Sequence, residues 1–318
     1  MSAGPNFNPI IAIVGPTASG KSTLGIEVAL ALNGEIINCD SVQVYQGIEI
    51  ATAKVSIEER RGVPHHLIDF VPPDINYTAG EWAREAIGKI EEIERRGRIP
   101  ILVGGTGLYL RALRTPFFSS PQTDVELRRR INVIRETRGP EYLHRVLQRL
   151  DRDSATELYP RDWPRVQRAI EVRLQTGEPM SRQKGQRPEP HESAHRLHIV
   201  VLNPPRAVLY ELINERTEKH FAAGLVEEVR RLLAQGVPAD SNALGAHGYR
   251  RVVEYLEGNR DLASAIEQTK QDVRNYAKRQ LTWFRREPGA SWFEGFGHEE
   301  VAKRAVFAAL KHPVEDKT

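Results

Sequence analysis

Two rhythms of hydrophobic positions alternate along the first 110 residues. Ile10-Ile11-Ala12-Ile13-Val14 is a short unbroken run rich in β-branched residues. That is the pattern of a parallel strand covered on both faces. Residues 22–32 then carry apolar positions at helical spacing, and Gly34 precedes a second strand over 35–40 that ends in the carboxylate of Asp40. A helix is predicted over 79–96, with Trp82, Ala86, Ile90 and Ile93 along one face and Gly97 as its stop. Residues 99–103 form a third apolar strand that runs into Gly104-Gly105-Thr106-Gly107. This alternation predicts an α/β fold, a parallel sheet flanked by helices.

The pattern changes near Gln122. Up to Pro190 the chain shows no convincing strand and is charged, arginine-rich and helical in spacing, and Pro188-Glu189-Pro190 reads as a linker. Residues 198–202 are apolar again, a fourth strand for the core. Two helices follow within 209–233, interrupted at Gly224 and stopped by Gly236, and another covers 262–284. In that last helix Val273, Ala277, Leu281 and Phe284 form an apolar face, and Lys270, Arg274 and Lys278 an outward cationic stripe. The predicted organisation is a core of residues 1–121 and 191–318 with an inserted helical subdomain at 122–190.

Composition narrows the class. With 318 residues, 40% hydrophobic and 27% charged, the chain suits one large α/β domain plus a smaller one. No stretch approaches the length of a membrane span. The N-terminal octapeptide has no basic region, so no signal peptide is expected. The single Cys39 excludes an intrachain disulfide and a cysteine-based zinc module. A cytoplasmic location is the expectation. Net charge is only +3, yet residues 122–190 hold 15 Lys/Arg against 11 Asp/Glu, and residues 270–287 hold six against two. Such local surpluses fit a polyanion partner, and they equally fit solvated helix faces.

Candidate chemistry begins at Gly15-Pro16-Thr17-Ala18-Ser19-Gly20-Lys21-Ser22, which fits G-x-x-x-x-G-K-[ST] between a strand and a helix. Backbone N–H groups of such a loop surround phosphate oxygens, Lys21 adds charge, and Ser22 is the candidate Mg²⁺ ligand. Asp40 lies at the carboxyl end of its strand, the edge facing the ligand crevice, where it serves as a Mg²⁺ ligand, a base or a helix cap. The third strand ends in Gly-Gly-Thr rather than the acidic residue usual in phosphoryl-transfer enzymes, with Asp40 or Asp69 as substitutes. Its glycines imply close approach to the backbone. His65 and His66 point to opposite sides of an extended chain, which argues against a shared metal.

These segments, together with Asp40-Ser-Val-Gln-Val-Tyr-Gln-Gly, Thr52-Ala53-Lys54, GVPHHLID, GGTGLYL, the run from Arg165 to Val172, Gly224-Leu-Val-Glu-Glu-Val and the run from Tyr276 to Arg285, occur in order. The chain resembles the tRNA dimethylallyltransferase family over nearly all of residues 9–286. The resemblance implies a P-loop NTPase-like core and transfer of a dimethylallyl group from its diphosphate to N6 of the adenosine 3′ of the anticodon, position 37, in tRNAs reading codons that begin with U. It implies that residues 15–22 hold the diphosphate with Mg²⁺ and that Asp40 is the base. Thr106 would line the reaction channel, and Arg216 would meet the diphosphate. Contacts to the anticodon arm would come from Asp40, Ser41, Val42, Gln43, Thr106 and Arg128. Further contacts would come from Pro164, Arg165, Val166, Gln167 and Arg168, and from Gly245, Ala246, His247, Gly248, Tyr249 and Arg250. A monomer is expected, with no membrane partner.

Two positions depart from the family pattern. His247 replaces an aliphatic residue, and Pro164 precedes the Arg-Val pair. Three other readings stay open on the residues alone. These are an adenylate isopentenyltransferase acting on free AMP, ADP or ATP, a small-molecule P-loop kinase, and a non-catalytic RNA-binding NTPase.

Overall fold

A computed structural model describes residues 9–118, 121–185 and 187–311. The N-terminal octapeptide, where no signal peptide is expected, lies outside them. Six parallel strands form one sheet: β1 (Ile10–Val14), β2 (Gly34–Asn38), β3 (His65–His66), β4 (Ile99–Gly104), β5 (Leu197–Asn203) and β6 (Ser291–Glu294). Their order is β3-β2-β4-β1-β5-β6. β1 is therefore central, which explains its uninterrupted apolar sequence. The pattern predicts four strands, so β3 and β6 are additions. β3 is two histidines paired with Ile36 and Ile37, too short and too polar to show a strand period. β6 is a four-residue edge.

The core unit carries α1 (Lys21–Leu32), α2 (Ala79–Arg95) and α3 (Gly107–Arg114). The second unit carries α4 (Val125–Arg138), α5 (Pro140–Leu150), α6 (Arg152–Glu157), α7 (Trp163–Thr176) and α8 (Met180–Lys184). The core resumes with α9 (Arg206–Ala222), α10 (Leu225–Ala234), α11 (Tyr249–Leu256), α12 (Leu262–Phe284) and α13 (Glu300–Lys311). Alternate β1 residues face opposite layers. Ile10, Ala12 and Val14 pack with Trp82 and Ile90 of α2 and Phe284 of α12, whereas Ile11 and Ile13 pack with Leu24 and Val28 of α1 and Val306 of α13. No described helix is long and apolar enough to cross a membrane.

By packing, the chain divides into Met1–Arg114 with His191–Thr318, and Thr115–Pro190. This division falls at Arg114, seven residues before the expected boundary at 121. The smaller unit is all helix among its described residues and has its own core around Leu143, Leu147, Val166, Ala169 and Ile170. Its charges are partly internal. Arg128 donates two hydrogen bonds of 2.8 Å to the fully buried Glu171.

The cationic stripe of α12 needs correction. Lys270 is buried and ion-paired to Glu218 of α9 and to Glu267, each at 2.7 Å. Arg274 donates to Asn214 of α9. Lys278 alone of the three is fully exposed. Periodicity placed these side chains on one face without revealing that α9 packs along part of it.

Candidate active site

The loop between β1 and α1 turns through Gly15 and through Gly20, whose φ of 79° is a left-handed conformation that suits glycine. No side chain caps the N-terminus of α1, and its first turn holds no acidic residue. Its N–H groups and dipole are thus available to an anion. Lys21 is folded back inside the loop, with Nζ donating to the Pro16 carbonyl at 3.1 Å. Burial lowers its pKa to about 8, with Asp40 opposing and Arg216 reinforcing the shift.

A cavity of about 810 Å³ opens over this loop, and Lys21, Ser22, Asp40, Arg216, Lys219 and His298 are among its lining residues. Asp40 lies two residues beyond β2. Its Oδ1 accepts N–H bonds from Val42 at 2.9 Å and Gln43 at 3.4 Å. One carboxylate oxygen therefore caps a turn, and Oδ2 takes neither bond. Arg216 reaches the cavity from α9 and is held from behind, where its Nε donates to Nε2 of His220 at 3.4 Å. Burial, followed by the Arg216 charge, lowers the His220 pKa to about 4. His220 is therefore a neutral acceptor at ordinary pH.

Thr106 joins the ends of β2 and β4. Its Oγ1 accepts the Ser41 N–H at 2.9 Å and donates to Ser41 Oγ at 3.3 Å. Its N–H donates to the Cys39 carbonyl at 3.1 Å. Burial and the nearby Asp40 charge raise the pKa of Tyr276 of α12, and the Thr106 side chain opposes them.

The glycines at the end of β4 admit the protein's own atoms. A Cβ on Gly104 would lie 2.1 Å from the Cys39 carbonyl oxygen. On Gly105 it would lie 2.1 Å from Gln280 Nε2, and on Gly107 2.1 Å from Trp283 Cδ1. Gln280 uses this proximity. Its Oε1 accepts the Thr17 N–H at 2.8 Å and its Nε2 donates to the Gly105 carbonyl at 2.9 Å, so α12 ties the phosphate loop to β4. Asp69, an alternative metal acid in the sequence, is instead ion-paired to Lys54. His65 Nδ1 bonds the Val63 carbonyl, and His66 Nε2 bonds Glu35.

The residues expected to touch RNA differ in exposure. Gly245 and Arg250 are exposed and Ala246 is half-buried. Gly248 is buried, with φ of 96° before α11. The His247 ring packs against Tyr276 with centroids 4.9 Å apart. The Tyr249 side chain is buried, donating to Glu228 Oε1 at 2.6 Å and accepting the Ala51 N–H at 3.3 Å, so it presents no surface to a ligand. In the smaller unit Arg165 is exposed beside Asp162, whereas Val166 and Gln167 are buried. Arg168 donates to the Pro121 carbonyl at 2.6 Å. Pro164 sits in the first turn of α7, where no intrahelical N–H is needed, so its presence leaves the helix intact.

The sequence profile of the family described as IPP transferase matches residues 43–287. A tRNA dimethylallyltransferase of Solibacter usitatus is 46% identical over 304 residues, covering 95% of this chain and 98% of that protein. The chain belongs to the IPP transferase family. The crystal structure of the full-length tRNA isopentenylpyrophosphate transferase from Bacillus halodurans aligns with a TM-score of 0.68 at 36% identity, covering 96% of this chain and 97% of that one. A eukaryotic dimethylallyltransferase captured acting on tRNA aligns with a TM-score of 0.74 at 29% identity, over 91% of this chain and 74% of that one. The core is accordingly P-loop NTPase-like.

Against this family background, four residues of the site escaped the sequence reading: Lys219, His220, Gln280 and His298. Lys219 and His220 lie three and four positions after Arg216, so helical spacing around a known cation is the one signal that would have found them. Gln280 lies four residues after Tyr276, but nothing local says which face of α12 meets the phosphate loop.

Proposed function

We propose that this protein transfers a dimethylallyl group from dimethylallyl diphosphate to N6 of adenosine 37 in tRNAs reading codons that begin with U. The carrying observation is that one cavity holds an acid, Asp40, opposite two cations, Lys21 and Arg216, over an uncapped helix N-terminus. An adenine amine is a weak nucleophile, and the demanding element is charge growing on the departing diphosphate. N6 bonds to the allylic carbon as the carbon–oxygen bond to diphosphate breaks. Asp40 takes the N6 proton, and Lys21, Arg216 and the loop N–H groups hold the diphosphate. The adenosine leaves its stack to reach the cavity.

Among the described residues no group of three or more acidic, His or Cys side chains could hold a metal. Mg²⁺ needs no such cluster, because it binds through one or two protein ligands and substrate phosphates. Ser22 would hold it beside the loop, where it would neutralise diphosphate charge. The RNA contacts assigned to residues 40–43, Thr106, 245–250, Arg128 and 164–168 belong to the same proposal, with the buried members holding their exposed neighbours. A monomeric state belongs to the same proposal.

Labelled dimethylallyl diphosphate should be incubated separately with tRNA, AMP and ATP. Label in tRNA alone is expected. Label in AMP or ATP would establish the adenylate-modifying reading instead. Release of phosphate from ATP to a small acceptor, without label transfer, would establish a kinase.

A further inference from the structure

The segment after β6 folds back onto the phosphate loop. Phe296 is buried against Leu209 and Ile213 of α9 and Ala277 of α12, with Ala18 of the phosphate loop packed on the same cluster. Its N–H donates to Glu299 Oε2 at 2.9 Å, and the Glu299 N–H donates to its carbonyl at 2.9 Å, closing a tight turn. Gly297 N–H then donates to the Ser19 carbonyl at 2.8 Å. A Cβ on Gly297 would lie 2.4 Å from the Gly20 carbonyl oxygen, so only glycine allows this contact without displacement. The turn thereby delivers His298 to the loop. Its backbone nitrogen and its Nδ1 each lie 3.2 Å from the place a Cβ on Gly20 would occupy. The imidazole stacks on Phe296, with centroids 5.5 Å apart and planes 28° from parallel. It is exposed, and it lines the same cavity as Lys21, Ser22 and Arg216.

We propose that His298 is a further diphosphate-binding residue, an N–H donor that reaches the anion from the side of the loop opposite β4. This inference rests on the diphosphate reading of the cavity. Three independent fixations hold the residue: the buried Phe296, the Gly297 bond and the ring stack. A side chain that only decorated the surface would need none of them. The imidazole is a donor in both protonation states, and a hydrogen bond to a multiply charged anion is of the stronger class. His298 also lies beyond the span that the family profile matches.

The test is calorimetric titration of inorganic diphosphate with Mg²⁺ into the full chain, repeated with dimethylallyl diphosphate. Wild type is compared with His298→Ala, His298→Gln and Lys21→Ala. His298→Ala should weaken both ligands about tenfold, the size expected for one hydrogen bond to a charged group. His298→Gln, which keeps an N–H donor, should recover most of the loss. Affinity for tRNA should not change. Unchanged diphosphate affinity in His298→Ala, with a large loss in Lys21→Ala, overturns the role of His298. So does equal weakness of the Ala and Gln variants, or a loss confined to tRNA. Unchanged diphosphate affinity in Lys21→Ala overturns the diphosphate reading of the cavity itself. The exposed position of His298 means that neither of its variants threatens folding, and matching melting temperatures would verify this.

Discussion

Asp40 carries one observed task and one proposed task on a single carboxylate, and the two can be separated. Oδ1 caps the turn through Val42 and Gln43, whereas the proposed proton transfer needs a basic oxygen. Asp40→Asn keeps an oxygen acceptor for the cap and removes the base. Steady-state assays should show kcat lowered by roughly 10²–10⁴-fold, with KM for tRNA and the melting temperature close to wild type. Normal turnover would remove Asp40 from the chemistry. Lys21 supports a second prediction, a pH dependence. Burial brings its pKa to about 8, so the free site loses this positive charge as pH rises through that value. On the proposed reading, diphosphate binds the charged form. Affinity for dimethylallyl diphosphate should therefore be fully present below about pH 8 and decline above it, roughly tenfold per unit once Lys21 is neutral. KM for the diphosphate measured from pH 7 to 9.5 checks this. Lys21→Arg should flatten the profile, because a guanidinium stays protonated throughout.

At the scale of elements, the end of β4 is the most constrained stretch of the core. The sequence reads its glycines as a place of close approach, and the approaching atoms prove to be Cys39, Gln280 and Trp283. Gly104→Ala would press a methyl group against the Cys39 backbone, which cannot yield as a side-chain tip can. Thermal unfolding should show a loss of about 1–3 kcal/mol or more, as for other overpacked positions. Gly88 in α2 is the matched control, since a Cβ there meets nothing within 4 Å. Gly88→Ala should stabilise by about 0.5–1 kcal/mol through helix propensity. Equal melting temperatures for the two variants would show that the contact at Gly104 is not limiting. The stripe of α12 gives the complementary lesson. Spacing assigned Lys270 to solvent, but burial against α9 and two carboxylates claims it.

At the scale of the whole molecule, the proposed contact of the smaller unit with RNA depends on which of its basic side chains face solvent. Its fifteen Lys/Arg are not all available, because Arg128 is committed to Glu171 and Arg168 to the Pro121 carbonyl. Arg165 is the exposed member of its run, with only a surface partner at 3.2 Å. Such a pair contributes little to stability. Arg165→Ala should leave folding unchanged, weaken tRNA binding, and reduce the slope of log affinity against log salt by about one. Diphosphate binding should be untouched. Filter-binding isotherms at several salt concentrations decide the matter, and identical slopes would mean that Arg165 meets no phosphate.

Much of the fold and part of the site were determined by sequence. The β1 run, the G-x-x-x-x-G-K-S loop and the helical spacing after it dictate a central strand, an anion-binding turn and a docked helix, because each depends on local periodicity and backbone conformation. Asp40 was legible for the same reason, as the end of an apolar run. Tertiary structure decided what local pattern cannot encode. β3 exists because His65 and His66 find Ile36 and Ile37 across the sheet, not because two histidines favour a strand. Gln280 and His298 join the site only when α12 and the turn after β6 arrive at the phosphate loop, from more than 250 residues away along the chain. Long-range packing also separates the arginines that hold the smaller unit together from those that face solvent. A guanidinium's charge is a property of its residue, but its partner is a property of the fold.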